Sequence, residues 1–135
     1  MYNHPALPLQ KAITNALRSN TELMKLITNV YESVPQKAPF PYIAYGSEAY
    51  TRGMWEHECF IDLIVATEDK GRVNIKQIEN IIIGILDYED LEVKDFQVEE
   101  QGLESIEFGI ETTGNSRISI MTFRFLLGAE EANVF

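Results

Sequence analysis

The sequence predicts an α+β domain in which a mostly antiparallel, mixed sheet of about five to six strands carries two N-terminal helices and one long central helix. The length of 135 residues fits one compact domain. Apolar residues have helical spacing at the start of the chain and again near its middle, whereas most other segments alternate apolar and polar residues. The order ααβββαβββ, without repeats or linkers, is typical of α+β folds. We therefore expect residues 1–135 to form one domain, with a flexible C-terminal arm over residues 128–135.

The two N-terminal helices are predicted from apolar spacing and from the residues at their ends. Pro5 and Pro8 are compatible with a first helical turn. Ser19 and Glu22 have the spacing of a capping box, which predicts that one helix ends there and a short one begins. The first helix has one apolar stripe, formed by Leu9, Ala12, Ile13, Ala16 and Leu17.

A short strand, a proline-rich segment and a second strand come next. Residues Val30–Val34 could form the short strand, and three prolines between residues 35 and 41 exclude a helix or a central strand there. Phe40 precedes the last of these prolines and is therefore extended, and that peptide bond could be cis. Strand character returns over residues 42–45 and ends in a polar stretch that reaches Gly53.

The strongest strand pattern in the sequence begins near Trp55 and ends near Val65. Phe60 and Ile64 make its second face apolar, which predicts a central place in the sheet. The helix that follows, over residues 73–86, is rich in isoleucine. Because branched side chains are stiff in helices, packing must override propensity here, and we expect this helix to lie across the sheet.

Three more strands are expected over residues 92–99, 104–111 and 117–127. A bulge is the simplest account of a phase shift in the first of them, and the third changes phase after Ile120. Turns are predicted at Gln101 and Gly102 and over residues 113–115.

The charge of the chain is concentrated in one segment. The sequence contains 11 Lys and Arg against 21 Asp and Glu, a net charge of −10, and residues 87–111 alone hold ten acids and one base. Proteins that wrap DNA depend on cationic side chains, so this composition disfavours such a role. Two interpretations stay open: a solvated surface that keeps the protein soluble, or a surface that repels a passing DNA duplex.

The sequence contains no recognisable catalytic motif. It has neither a glycine-rich phosphate loop nor a serine elbow. His57 and Cys59 share one strand face and could hold a metal ion, but Glu56 and Glu58 point to the other face and zinc needs further ligands. We expect a partly buried histidine, an inert core cysteine, no catalytic residue, no metal and no cofactor.

Nothing in the sequence predicts a membrane protein. No apolar run approaches the roughly 20 residues that cross a bilayer, and the N-terminus lacks the pattern of a secretory signal. We therefore expect an intracellular, acidic and soluble domain.

Two segments of the chain resemble the phage tail-completion and tail-terminator family. They are the opening helix, Leu9–Leu17, and the segment Val30–Ile43, in which a tyrosine, Val-Pro, a short linker and Pro-aromatic-Pro-Tyr follow one another. The pattern continues through residues 57–65 and 71–86, so the resemblance covers about residues 9–127. The family consists of small proteins of long-tailed phages, prophages and phage-like gene-transfer particles.

The resemblance implies a structural virion protein without catalytic residues, located at the head–tail junction after a period in the host cytoplasm. Such a tail terminator forms a hexameric ring that caps the tail tube and joins the tail to the head-side connector or stopper protein. DNA would pass through the ring without specific binding, and carboxylates lining the lumen would repel it. The candidate lumen residues are Glu107 and Glu111 on one strand face, with Glu99, Glu100 and Glu104 near the predicted hairpin turn.

A ring of identical copies needs contacts between two different patches, and exposed strand edges invite such pairing. We expect Trp55 to anchor a subunit or tail-tube interface, with core packing as the alternative. Phe40 belongs to a proline-rich segment that could be a second contact surface or only a rigid corner. Val134 and Phe135 could dock on a neighbouring copy, although termini usually fray.

Three other functions stay open at this point. A head-to-tail connector stopper or adaptor would also form a ring, and binding to the tail tube would distinguish it from a terminator. A small cytoplasmic ligand-binding or regulatory domain would use the crevice between sheet and helix near His57 and would show a closed, occupied pocket. A metal enzyme at His57 and Cys59 would contain metal when purified.

Overall fold

The computed structural model describes residues 4–68, 74–88, 90–110 and 116–129. It confirms an α+β fold with a five-stranded mixed sheet, two N-terminal helices and one central helix, in the order ααβββαββ. The elements are α1 (Ala6–Ser19), α2 (Thr21–Leu26), β1 (Val30–Tyr31), β2 (Tyr42–Arg52), β3 (Glu56–Glu68), α3 (Ile75–Tyr88), β4 (Phe96–Ile110) and β5 (Ser116–Ala129).

The strands are arranged in the order β1-β2-β3-β5-β4, so β3 is central, as predicted, and β4 is at an edge. Among the strands that the structure describes, only the short pair of β1 and β2 is parallel. Strands β3 and β5 pair without interruption from Glu56 opposite Gly128 to Glu68 opposite Ser116. Because β5 continues to Ala129, residues 128 and 129 belong to the sheet, and the rest of the predicted C-terminal arm lies outside the described residues.

Residues 96–110 form one continuous strand, so the prediction of two strands joined by a turn at Gln101 and Gly102 is wrong. The register of β4 against β5 shifts twice, between Val98 and Glu100 and between Leu103 and Ser105. Each extra residue resets the alternation of apolar and polar positions, and two such resets make one strand look like two.

The change of apolar phase in β5 involves no bulge in this strand, because its register with β3 is regular. Ile118 and Ile120 lie on one face of this strand and Met121 and Phe123 on the other. The pattern reflects a strand that is apolar on both faces near its start.

One face of the sheet forms the hydrophobic core with the helices. The faces are assigned from the register: residues that pair directly across antiparallel strands share a face. The opposite face, called the open face here, has partly exposed residues at its centre: Phe60, Asp62, Thr122, Arg124 and Leu126. The largest fully buried side chains of the core face and helices include Phe123, Phe125, Leu63, Leu9, Ile13, Ile78 and Ile82.

The helical pair begins and ends where the sequence predicts, but with a different cap. The Asn20 side chain accepts a hydrogen bond from the Leu23 amide at 2.9 Å, in place of the predicted box of Ser19 and Glu22. None of the helices within the described residues is long and apolar enough to span a membrane.

Candidate assembly surface

Four glutamates line one side of the edge strand β4, and we call them the acidic strand surface: Glu99, Glu100, Glu104 and Glu107. All four are exposed, and residues 96–110 include no basic residue. At about 3.3 Å per residue, the row from Glu99 to Glu107 spans about 25 Å. The predicted grouping of three of them around a hairpin turn is wrong, since they follow one extended strand. Glu111 lies outside the described residues.

The acidic strand surface faces the open side of the sheet. Glu100 pairs with Leu126 and Glu107 with Ile120, both open-face positions. Glu99 occupies the first bulge, and its Oε1 atom lies 2.6 Å from the point where a Cβ on Gly128 would be. The absence of a side chain at Gly128 therefore lets Glu99 reach over the open face. Glu104 occupies the second bulge.

Arg124 links three strands at the centre of the open face. Its Nε donates to Glu58 Oε2 on β3 at 2.8 Å, and its Nη1 donates to Glu100 Oε2 on β4 at 2.7 Å. The hydrogen bonds that the Arg124 guanidinium donates to Glu100 and Glu58 raise its pKa above its usual range. In the described part of the chain, Glu100 is thus the member of the acidic strand surface that has a cationic partner.

A depression of about 520 Å³ beside this arginine is strongly acidic. Its charged lining consists of Asp90, Glu99, Glu100 and Glu104, opposed by Arg124 alone. Four carboxylates around one guanidinium give this surface a negative potential, which disfavours polyanions and does not constitute a binding site for one.

Contacts to α3 fix the position of β4. The Gln101 side chain donates to the Leu86 carbonyl at 2.9 Å, and Asp87 Oδ1 accepts from the Leu103 amide at 3.0 Å. Gly102 is needed for the second contact, because a Cβ there would lie 2.6 Å from the Asp87 carboxylate. The glycine that suggested a turn in the sequence instead permits this close approach.

The loop between β2 and β3 presents two large apolar side chains to solvent. Met54 is 86% exposed and Trp55 is 76% exposed. We call this pair the apolar hairpin tip. The Gly53 amide donates to the Glu56 carbonyl at 2.7 Å and closes the turn beneath it. Trp55 therefore does not pack in the core, which was the alternative to its predicted role at an interface. We did not predict Met54 as part of this exposed surface. Its signal in the sequence was the apolar pair Met54 and Trp55 directly after the turn residue Gly53.

Phe40 is held in the proline-rich segment and is only partly exposed. Its ring stacks on Tyr42 with centroids 5.5 Å apart, and the peptide bond to Pro41 is cis. The Thr28 hydroxyl donates to the carbonyls of Pro39 and Pro41 at 2.8 and 3.0 Å. These contacts support the interpretation of the proline-rich segment as a rigid corner of the chain. Val134 and Phe135 lie outside the described residues.

His57 and Cys59 share the core face of β3, as predicted, and are partly and fully buried respectively. Burial, with a smaller effect of Glu58, raises the pKa of the Cys59 thiol to about 12. Burial also lowers the pKa of His57, whose ring meets Phe96 edge to face at 5.7 Å. The thiol is therefore protonated at neutral pH and is a poor nucleophile or metal ligand. No group of three potential metal ligands comes together within the described residues.

Comparison with known proteins gives a matching family model and solved structures with a similar fold. A family model described as "Tail completion protein gp17" matches residues 11–128. A chain from a structure titled "Virion of native gene transfer agent (GTA) particle" superposes with a TM-score of 0.82 at 20% identity, covering 95% of this chain and all of that one. The bacteriophage SPP1 gp17 protein superposes with a TM-score of 0.61 at 22% identity, covering 92% and 95%. A search of curated protein sequences found no match.

Proposed function

The chain belongs to the family of tail completion protein gp17, and on that premise we propose that it is a non-enzymatic virion protein, a tail terminator that caps the tail tube and joins the tail to the head-side connector. The family match over residues 11–128 carries the tail-completion role. The similar fold of a chain from a gene transfer agent particle supports a place in a virion.

The acidic strand surface supports a lumen through which DNA passes without adhering. A ring of six copies would repeat the row of four carboxylates six times around the passage. At physiological salt, charges act over about 8 Å, so carboxylates on the wall repel phosphates that approach it closely. Because the glutamates are on a strand tied to α3, their distance from the axis would be fixed.

The environment of the titratable core residues supports the absence of catalysis. His57 shares a strand face with Cys59, and that thiol is fully buried with a raised pKa. A buried, protonated thiol cannot start covalent catalysis. The partners we propose are therefore protein surfaces and passing DNA: further copies of this chain, the tail-tube protein and the head-side connector or stopper protein.

The role is tested by deleting the gene from the phage or prophage that encodes it and examining the particles by electron microscopy. We expect tail tubes without a defined head-proximal end and without attached heads. Purified protein added to isolated tubes should restore a ring at that end. Tails of normal length and closure that lack only heads would favour a stopper or adaptor, and normal joined particles would contradict the proposal.

A further inference from the structure

The outer side of β2 has no neighbouring strand along the second half of its length. Strand β1 pairs with β2 only at Ile43 and Ala44, and no other strand within the described residues lies on this side of β2. The segment Glu48–Arg52 is called the β2 edge here. It pairs regularly with β3 on its inner side, and four of its five residues are exposed. Its outer side can therefore receive a further strand.

The hairpin closure determines which backbone groups of the β2 edge point outward. The Gly53 amide donates to the Glu56 carbonyl, so the backbone groups of this pair point toward each other. In antiparallel strands such pairs alternate with pairs whose amide and carbonyl groups point away from each other. The alternate residues Glu48, Tyr50 and Arg52 therefore direct their backbone groups away from β3.

The β2 edge lacks the features that usually prevent strands from pairing. It contains no proline and no lysine, and its one acid and one base leave it without net charge. A bulge at Gly46 and Ser47 precedes it and sets where regular pairing can begin. The other edge of the sheet, β4, has two bulges and four exposed glutamates. The sheet therefore has one edge that can accept a strand and one that resists it.

The β2 edge is complementary to itself when two copies run antiparallel. With Tyr50 opposite Tyr50 of the second copy, Glu48 lies opposite Arg52 of the second copy, and the reverse pair lies on the other side. Aromatic pairs and oppositely charged pairs across antiparallel strands are favourable. On the open face, Ala49 and Thr51 of the second copy lie opposite each other, and both are small. A shift by two residues would lose both ion pairs, so the charges select one register.

The acids nearest to the β2 edge lie outside the residues that would pair. Glu32 follows β1 and Glu56 follows the apolar hairpin tip, and both are exposed. Glu58, on β3 beside Thr51, already accepts a hydrogen bond from Arg124 at 2.8 Å. These acids, and the net charge of −10 on each chain, weaken the association of two copies without changing its register.

We propose that two copies of the free protein pair through their β2 edges, antiparallel and in this register, so that two five-stranded sheets become one continuous sheet. The contact is isologous, with the same residues on both sides, so it closes at two copies. It cannot build a ring, which needs two different patches, and the inference therefore goes beyond the proposed function. Because β4 resists pairing, no further copy adds at the outer edges of the pair.

The pair is weak, because the paired stretch is short. The outward groups of Glu48, Tyr50 and Arg52 on both copies form about six hydrogen bonds in this register. A standard interface buries about 800 Å² on each partner, and five residues of strand bury less. We therefore expect a Kd between about 10 μM and 1 mM.

Charge reversal tests the register. Sedimentation equilibrium of the full chain is measured from about 10 μM to 1 mM, and the wild type should approach twice the mass of one chain. Glu48→Arg or Arg52→Glu alone places like charges opposite each other twice in the pair and should weaken it about tenfold. An equimolar mixture of the two variants should associate as the wild type does, because every facing pair is again opposite in charge. The matched control Glu22→Arg, an exposed reversal outside β2 with the same net charge as Glu48→Arg, should associate normally.

Disulfide formation measures the register directly. Ala49 and Thr51 of the second copy face each other without mutual hydrogen bonds, where Cα atoms are about 4.5 Å apart. Ala49→Cys mixed with Thr51→Cys should therefore give at least about tenfold more disulfide-linked dimer than either variant alone, in which identical positions lie about 8 Å apart and out of reach. Cys59 is buried and does not compete. Ser105→Cys, exposed on β4, replaces Thr51→Cys in the control mixture.

Four results would overturn the inference. They are a monomer at about 1 mM, association that both single reversals leave unchanged, a mixture of the reversals that associates no better than either alone, or a mixed disulfide no more abundant than in the controls. Capping of tail tubes is a separate readout, and Glu48→Arg should cap them as the wild type does. Loss of capping in this variant alone would assign the β2 edge to the ring and contradict the two-fold pair. Failure of the wild type to cap tubes, with the pair intact, would count against the proposed function only.

Discussion

Reversing two charges of the acidic strand surface tests whether it keeps DNA from adhering. The variant Glu104→Lys/Glu107→Lys changes two exposed residues and moves the net charge of the chain from −10 to −6. Each lysine that contacts a phosphate steepens the dependence of log K on log salt by about 0.9, so two contacts per copy give a slope of about −1.8. Exposed substitutions of this kind usually change stability by no more than about 0.5 kcal/mol, so the fold is retained.

The assay measures binding of a fluorescent duplex by anisotropy at several salt concentrations, followed by DNA release from particles assembled with the variant. We expect no binding by the wild type, salt-dependent binding by the variant, and slower release from its particles. The matched control is Glu22→Lys/Glu32→Lys, which has the same net charge with both changes at exposed sites outside β4. If the control binds and retains DNA equally well, net charge and not position is responsible, and the reasoning fails.

Three further predictions concern the core. Ser119→Ala removes the buried 2.6 Å hydrogen bond to Glu79 Oε2 and should lower the free energy of unfolding by about 1–3 kcal/mol in urea titrations, whereas exposed Ser105→Ala should change it little. Because burial lowers the pKa of folded His57, protonation favours the unfolded chain; stability should be complete above the ordinary histidine pKa and fall as the pH drops below it, and His57→Gln should show a smaller loss between pH 7.5 and 5.5 in the same titrations. Cys59 should react with a thiol reagent at neutral pH only after unfolding, and rapid modification of native protein would contradict its burial.

The elements that the sequence predicts best are those whose pattern is set by one continuous contact surface. The strand from Glu56 to Glu68 is central and pairs regularly with β5. Its register shift against β2 places the extra residue in β2, so the alternation of β3 survives along its length. The strand from Phe96 to Ile110 contains two bulges, and each reverses which positions face the core. A bulge is decided by the partner strand and by tertiary packing, such as the contact of Asp87 in α3 with the Leu103 amide beside the second bulge, and neither is visible locally.

The candidate site was predictable in composition and not in arrangement. The excess of carboxylates between residues 87 and 111 is plain in the sequence, but the alignment of four of them on one strand follows from the absence of the predicted turn at Gln101 and Gly102. The ion pairs of Arg124 join it to residues 66 and 24 positions away, Glu58 and Glu100, which no local pattern relates. Arg124 is nevertheless the one charged residue in the apolar run from Met121 to Leu127, and that position was its only signal.

The features that make β4 a candidate lining for a DNA passage also determine where a neighbouring copy can bind. An exposed edge strand is a site for pairing with another chain, and bulges and charged side chains are the usual means of preventing it. β4 has two bulges, four exposed glutamates and an amide at Leu103 that Asp87 already binds. Adding a strand here would bring these carboxylates together with those of a like-charged neighbour. Contacts between copies in the proposed ring would therefore use other surfaces of the chain.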